Sequence, residues 1–233
     1  MQMGVGIVRI LALETSRKPG SIALLEGDEL LSEAELSVEG GPARSLAPLI
    51  DAQLREAAWS AADLDLVACA VGPGSFTGLR VGVTTAKTLA YAAGSDILGV
   101  PTLDVIAEQS PREVRAVTAV IDAQRGQLFS SQFSRGEDQR WQLAGELQIV
   151  DRTRWLEQLQ RSTWVSGSGL ERLTGSLPAG VQVVDPQAWD PRAVTVGRIA
   201  FRRYTAGARD DLWQLVPRYY RKSAAEEKWE GRE

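Results

Sequence analysis

Apolar and polar positions along the first hundred residues fall into short blocks whose period changes part-way. Residues 7–13 and 21–26 read as β-strands separated by a polar turn at 14–20, and Gly27-Asp28 joins the second tightly to a third strand over 29–36. These three make an antiparallel meander. Beyond the Gly40-Gly41-Pro42 break the period lengthens: Leu46, Leu49, Ile50, Leu54 and Ala57 form one stripe of a helix over 46–58, with Ser45 as N-cap and Pro48 in its first turn. Residues 64–71 are an almost unbroken apolar strand, 72–76 a Gly-Pro turn, 77–93 a helix rich in small residues, and 97–100 a further buried strand.

The second half opens in the same way, with strands at 114–122 and 127–133 around a turn at 123–126. Strand-like stretches follow at 141–150, 163–166 and 181–184, and helical ones at 152–161 and 192–206. Three strands, then helix, strand, helix, strand is the order of a ribonuclease H-like half, the unit duplicated in the actin-like ATPase fold. The fold class expected is therefore α/β: two ribonuclease H-like lobes, each a mixed sheet opened by antiparallel strands and flanked by helices. Their expected extents are 1–108 and 109–233, with the C-terminal segment placed to pack back on the first lobe.

Composition narrows the chemistry. The 233 residues include no histidine, which excludes a His-ligated metal, a His general base, a Ser-His-Asp triad and a His-metal peptidase. A net charge of −4 argues against a chain that holds nucleic acid by itself. The one cysteine, Cys69, lies in an apolar run and reads as a small buried hydrophobe; it excludes an intrachain disulfide and suits a reducing compartment. The run at 7–13 is too short for a span or a secretory leader, so a cytoplasmic location is expected.

The sharpest local feature is Gly72-Pro73-Gly74-Ser75-Phe76-Thr77-Gly78-Leu79-Arg80-Val81-Gly82, between the buried strand and the small-residue helix. It is neither a Walker A loop nor a GxGxxG turn. Two readings stand open: free N–H groups at a helix N-terminus facing an anion, or glycines that permit a tight turn and close packing with Ser75 or Thr77 as the cap. Glu14-Thr15-Ser16 ends the first strand, where actin-like folds carry an acidic residue near metal and phosphates; Asp122 is the second carboxylate at a comparable strand end. Glu14, Thr15, Ser16, Gly74, Ser75 and Asp122 thus form the candidate vestigial nucleotide or anion site, although Asp122 with Gly126 reads first as hairpin-turn chemistry. Arg198, Arg202 and Arg203 form a basic helix face of the solvated kind, and Trp229 is an anchor for the charged tail.

Ile10-Leu-Ala-Leu-Glu14-Thr-Ser16, the Gly72 to Gly82 segment, Gly99-Val-Pro-Thr-Leu103, Ile121-Asp-Ala-Gln-Arg-Gly126, Pro217-Arg-Tyr-Tyr-Arg221 and Ala225-Glu-Glu-Lys-Trp-Glu230 together resemble the TsaB (YeaZ) family in order and spacing, over nearly the whole chain. Two departures are Glu14, where the family usually has Asp, and the absence of a His that many members carry in 40–45. The resemblance implies a non-catalytic subunit, with no metal or cofactor of its own, that binds and activates TsaD. TsaD transfers threonylcarbamoyl to the adenosine beside the anticodon of tRNAs reading ANN codons. It further implies that first-lobe helices 46–58 and 77–93 build the TsaD interface or pair as a homodimer, that the ATPase TsaE joins a ternary assembly, and that tRNA is contacted mainly through TsaD. The partner-binding candidates on those helices are Leu46, Leu49, Ile50, Gln53, Thr77, Arg80, Val81, Gly82, Thr85, Ala86 and Leu89. The competing reading is a nucleotide-binding ATPase or phosphotransferase of the actin-like class.

Overall fold

The computed structural model describes residues 7–39 and 41–221. Trp229 and the closing segment 225–230 lie outside the described residues. The first sheet is built from β1 (Arg9–Glu14), β2 (Ser21–Glu26) and β3 (Glu29–Glu35); after helix α1 (Pro42–Glu56) come β4 (Leu66–Gly72), helix α2 (Phe76–Ala93) and β5 (Asp96–Pro101). Its strand order is β3-β2-β1-β4-β5, antiparallel through the meander and parallel from β1 to β5.

A short helix, α3 (Thr102–Glu108), leads to the second sheet. This contains the hairpin β6 (Ala116–Gln124) and β7 (Gln127–Arg135), then β8 (Trp141–Leu143), β9 (Gln148–Asp151), helix α4 (Arg152–Gln158), β10 (Trp164–Ser166) and β11 (Gln182–Val183); helix α5 (Ala193–Thr205) follows. The order is β11-β10-β6-β7-β8, with β9 also pairing β7. Two mixed sheets, each opened by antiparallel strands and flanked by helices, make the two-lobed actin-like fold that the element order anticipates.

Side-chain parity explains the layers. Successive residues of a strand point to opposite faces. On β1, Leu11 and Leu13 enter one core with Leu46, Ile50 and Leu54 of α1 and Val83, Ala86 and Ala90 of α2. Ile10 and Ala12 enter another with Val196, Ile199 and Ala200 of α5. Helix α5, which the sequence places in 109–233, covers the open face of the first sheet. The reason is that β1 and β2 are apolar on both faces and α1 with α2 cover only one. Nor is the basic face of α5 merely solvated: Arg202 pairs with Glu108 at 2.9 Å and Arg203 donates to the Gly99 carbonyl at 2.9 Å.

Three local differences have simple causes. The first helix begins at Pro42, after Gly41 at φ 74°, so Ser45 lies inside the first turn and donates to the Gly41 carbonyl instead of capping. The stretch 141–150 divides into β8 and β9. Helix α3, unread from the sequence because seven residues show barely two turns of periodicity, sits between the lobes: Val105 joins the first-sheet core and Leu103, Ile106 and Ala107 the second.

After α5 the chain crosses back over the first lobe as a strap, residues 207–221. Asp210 donates its N–H to the Ile97 carbonyl and accepts from Gly99 N–H at 2.7 Å, while Leu212 and Leu215 pack on the first core. Lys87 of α2 donates to the carbonyls of Trp213 and Leu215 at 3.2 and 3.1 Å. Arg218 N–H bonds the Val71 carbonyl, and Arg221 reaches the second lobe at the Ala123 carbonyl, 2.7 Å. Lys87→Met keeps the aliphatic stem and removes the charged donor, so a loss of about 1–2 kcal/mol is expected in urea unfolding, with faster amide exchange at 213–216.

Candidate functional site

The loop Thr15–Ser16 leaves the end of β1 and lies beneath the turn that starts α2. Ser75 N–H donates to the Ser16 carbonyl at 2.7 Å, and Ser75 Oγ accepts from Gly78 N–H at 3.3 Å as the cap of α2. The glycines set how close the two segments come. A Cβ on Gly74 would stand 2.5 Å from the Ser16 carbonyl oxygen, one on Gly78 2.0 Å from that of Thr15, and one on Gly82 2.1 Å from Thr15 Oγ1. Every one of these is closer than real atoms approach. Of the two readings of this segment, turn and close packing is the one the geometry supports.

Glu14 lies behind this contact and is 1% exposed. Its Oε1 accepts from Ser16 N–H at 2.5 Å, and its Oε2 has no partner among the described residues. Burial pushes the carboxyl up from 4.5 to about 7; the Ser16 hydrogen bonds pull it down in part and Asp190 adds to the rise. Asp122 serves the hairpin: it accepts from Gln124 N–H at 2.8 Å and pairs with Arg152 at 2.9 Å. Its turn carries positive φ at Gln124, Arg125 and Gly126.

Between the two lobes runs a cleft of about 560 Å³. Ser16, Gly74, Ser75 and Asp122 line it, whereas Glu14 and Thr15 do not. The structure therefore brings together four of the six residues proposed from sequence and puts the other two behind the wall. Among the described residues no three cysteine, aspartate or glutamate side chains form a group able to hold a metal ion. The cleft wall also contains Arg17, Lys18, Arg218, Tyr219, Tyr220 and Arg221, none of which was a candidate. The Arg-Tyr-Tyr-Arg run was visible, but its place depends on the strap, which no periodicity announces. Cys69 is buried and its thiol is pushed up to about 12 by desolvation, which leaves it unreactive.

The partner-binding candidates separate by exposure. Leu46, Ile50, Gly82 and Ala86 are buried in the first lobe and cannot meet a partner; this corrects their assignment, because the apolar stripes that look available on isolated helices are the ones that cover the sheet. Leu49, Gln53, Val81, Thr85 and Leu89 are half-buried on the helix flanks, and Thr77 and Arg80 are exposed. Arg80 is engaged within the chain, with its guanidinium 4.1 Å from the Phe76 ring centre and its Nε 3.0 Å from the Tyr219 hydroxyl. The accessible ridge of α2 is Thr77, Thr84 and Thr88, with exposed Arg80 and Tyr91 beside it, a set that the sequence named only in part.

Comparison with known proteins now bears on this geometry. A family model described as TsaD, tRNA N6-adenosine threonylcarbamoyltransferase, matches residues 43–171, more than half of the chain. The protein named "tRNA threonylcarbamoyladenosine biosynthesis protein TsaB" of Bacillus subtilis is 28% identical over 94% of this chain and 97% of its own length. The Haemophilus influenzae protein of the same name is 32% identical over 65% of this chain and 67% of its own. The chain belongs to the TsaB (YeaZ) family. The solved structure of YeaZ from Pseudomonas aeruginosa has the same fold, with a TM-score of 0.78 at 24% identity, over 91% of this chain and all of that one. Among the described residues of this TsaB-family chain, no helix is long and apolar enough to cross a membrane.

Two measurements probe the site. Gly78→Ala meets backbone and should cost at least about 2 kcal/mol in urea unfolding, beyond repair by Thr15→Ala. Gly82→Ala meets the Thr15 side chain, so Thr15→Ala should restore a measurable part of its loss in a double-mutant cycle. For Glu14 the sign is fixed by its raised value. The folded state holds the proton more tightly than the unfolded chain, so stability present below pH 4.5 is lost as pH rises to about 7 and is level above. Glu14→Gln should flatten that slope and stabilise the protein at pH 8 by up to about 3 kcal/mol, read as urea midpoints across pH 4–8.

Proposed function

We propose that this chain is a non-catalytic subunit of tRNA threonylcarbamoyladenosine formation that binds and activates TsaD through the exposed surfaces of α1 and α2. TsaD performs the transfer, to the adenosine beside the anticodon of tRNAs reading ANN codons. The observation that carries the reading is the closed end of the cleft. Gly74, Gly78 and Gly82 are spent on packing against Thr15 and Ser16, and Ser75 N–H is bonded to Ser16, so the elements that would face an Mg-nucleotide phosphate are committed within the chain. Asp122 is neutralised by Arg152, and Glu14 lies out of reach behind the wall.

The outer surfaces of the two helices suit a close partner. Ala43, Ala47 and Ala52 of α1 and Thr77, Thr84, Thr88 and Ala92 of α2 are exposed and small, which lets a second pair of helices come close at these positions, while exposed Arg44, Arg55, Arg80 and Tyr91 flank them. Names of relatives support the pathway, and the match of a TsaD family model to residues 43–171 supports a partner built on the same plan. Self-association through the same ridge and TsaD binding would then exclude one another, and TsaE would join the heterodimer.

Thr84→Arg and Thr88→Arg place a long cation on the ridge without touching the core. Each is expected to weaken association with TsaD at least 100-fold in gel filtration and calorimetry, to leave circular dichroism unchanged, and to abolish threonylcarbamoylation of tRNA in a reconstituted reaction. Retained association would overturn the interface, and product formed with TsaD withheld would overturn the non-catalytic role.

A further inference from the structure

We propose that the mouth of the inter-lobe cleft binds an unpaired segment of RNA, with Lys18 and Arg218 on its phosphates and Tyr220 as a stacking surface for a base. Charge is the first argument. The whole chain carries −4, yet the side chains lining the cleft include five cations, Arg17, Lys18, Arg125, Arg218 and Arg221, against the single carboxylate of Asp122. That carboxylate is paired with Arg152, and Arg17 is paired with Glu171 and Asp190. Lys18 and Arg218 are exposed and, among the described residues, their side-chain nitrogens make no hydrogen bond or ion pair. The field of Arg218, with that of Arg203, reaches Asp104 in the first turn of α3. A concave wall of one sign concentrates potential, so the cleft attracts anions although the surface as a whole does not.

The second argument is aromatic and geometric. Arg218-Tyr219-Tyr220-Arg221 is held at both ends, by Arg218 N–H on the Val71 carbonyl of the first lobe and by Arg221 on the Ala123 carbonyl of the second. Tyr219 rests on Phe76 with ring centres 4.6 Å apart, and Tyr220 lies 6.1 Å from Phe129. Both tyrosines remain accessible, at 42% and 37%. Aromatic rings supported from behind and flanked by arginines are the recurrent surface for unpaired nucleotides, because any base presents a face to stack and little ordering is needed on binding.

A free nucleotide is the poorer occupant. Its phosphates belong at the deep end, where Ser75 N–H is already bonded and the glycines are closed on Thr15 and Ser16; the unpaired cations lie at the mouth. The choice of RNA rests on the proposed role in tRNA modification.

The test uses the full chain alone and a fluorescein-labelled twelve-nucleotide unpaired RNA, titrated by anisotropy at several KCl concentrations, with ATP-Mg as competitor. With the two phosphates of Lys18 and Arg218 engaged, log K should fall with log[KCl] at a slope of about −1.4. Lys18→Gln and Arg218→Gln should each weaken binding at least fivefold and reduce that slope by about 0.7. Tyr220→Ala should weaken it about tenfold at unchanged slope. Arg154→Ala, an exposed cation outside the cleft, should change nothing. No binding by the folded wild-type chain, equal affinity for all four variants, or displacement by micromolar ATP would each overturn the proposal. TsaD association of the same variants, followed separately, should stay at the wild-type value. Because the RNA readout needs no TsaD, failure here leaves the proposed subunit role standing, and failure of TsaD association leaves the RNA result standing.

Discussion

The approach of the α2 turn to the end of β1 sets the position of nearly everything functional in this molecule. Three glycines, Gly74, Gly78 and Gly82, take up one face of the turn and first two turns of α2, and each faces an atom of Thr15 or Ser16 at a distance no side chain would permit. Close packing of this kind has little compliance, since a single added methyl must displace backbone at Gly78. It fixes the direction in which α2 leaves the sheet, and so the ridge offered to a partner. It also closes the space between the turn and the end of β1. In the proposed reading, this one packing decision turns the fold away from nucleotide chemistry and towards a surface role.

A second constraint acts from the opposite face. Because β1 and β2 are apolar on both sides, the first sheet needs helices on both, and the chain must return from the second lobe to supply α5. Once α5 ends above β5, the strap has only the edge of the first lobe to follow, and it runs along α2 by way of Asp210, Lys87 and Arg218. Helix α2 is therefore enclosed on three sides, by the sheet, by α1 and by the strap. What remains exposed is a narrow strip in which Thr77, Thr84 and Thr88 lie with Arg80 and Tyr91. Such a ridge adds little apolar surface of its own and suits a partner whose shape fits closely.

The fold was legible in the sequence wherever periodicity is long and two-faced. The meander, both central helices and the β6–β7 hairpin fall within a few residues of their expected bounds because alternation in strands and stripes in helices record burial directly. The candidate site was legible only in part, for a reason that recurs at each residue. Gly82 and Ala86 look available on a helix read alone, and only the neighbouring sheet shows that they are the buried side. The glycines of the turn are compatible with an anion or with a tight contact until Thr15 is placed beneath them. Lys18, Arg125 and Arg218 are separated by about a hundred residues at each step, so no local window joins them.

That last point bears on how charge should be read. A net charge of −4 is a sum over the surface, and a sum cannot report segregation. Here many surface cations are consumed in pairs, Arg202 with Glu108, Arg209 with Asp96 and Arg152 with Asp122, and those pairs are individually weak contributors to stability. Of these the Arg152–Asp122 pair acts at the cleft, where it neutralises the one carboxylate among the lining side chains. The strap then brings Arg218 and Arg221 to the same wall and joins that wall to α2 through Tyr219 and Arg80. A partner seated on the ridge would lie against the helix from which the aromatic wall is hung. The two proposed surfaces are therefore adjacent parts of one rigid assembly, and a partner and an RNA strand could engage them together without a change of fold.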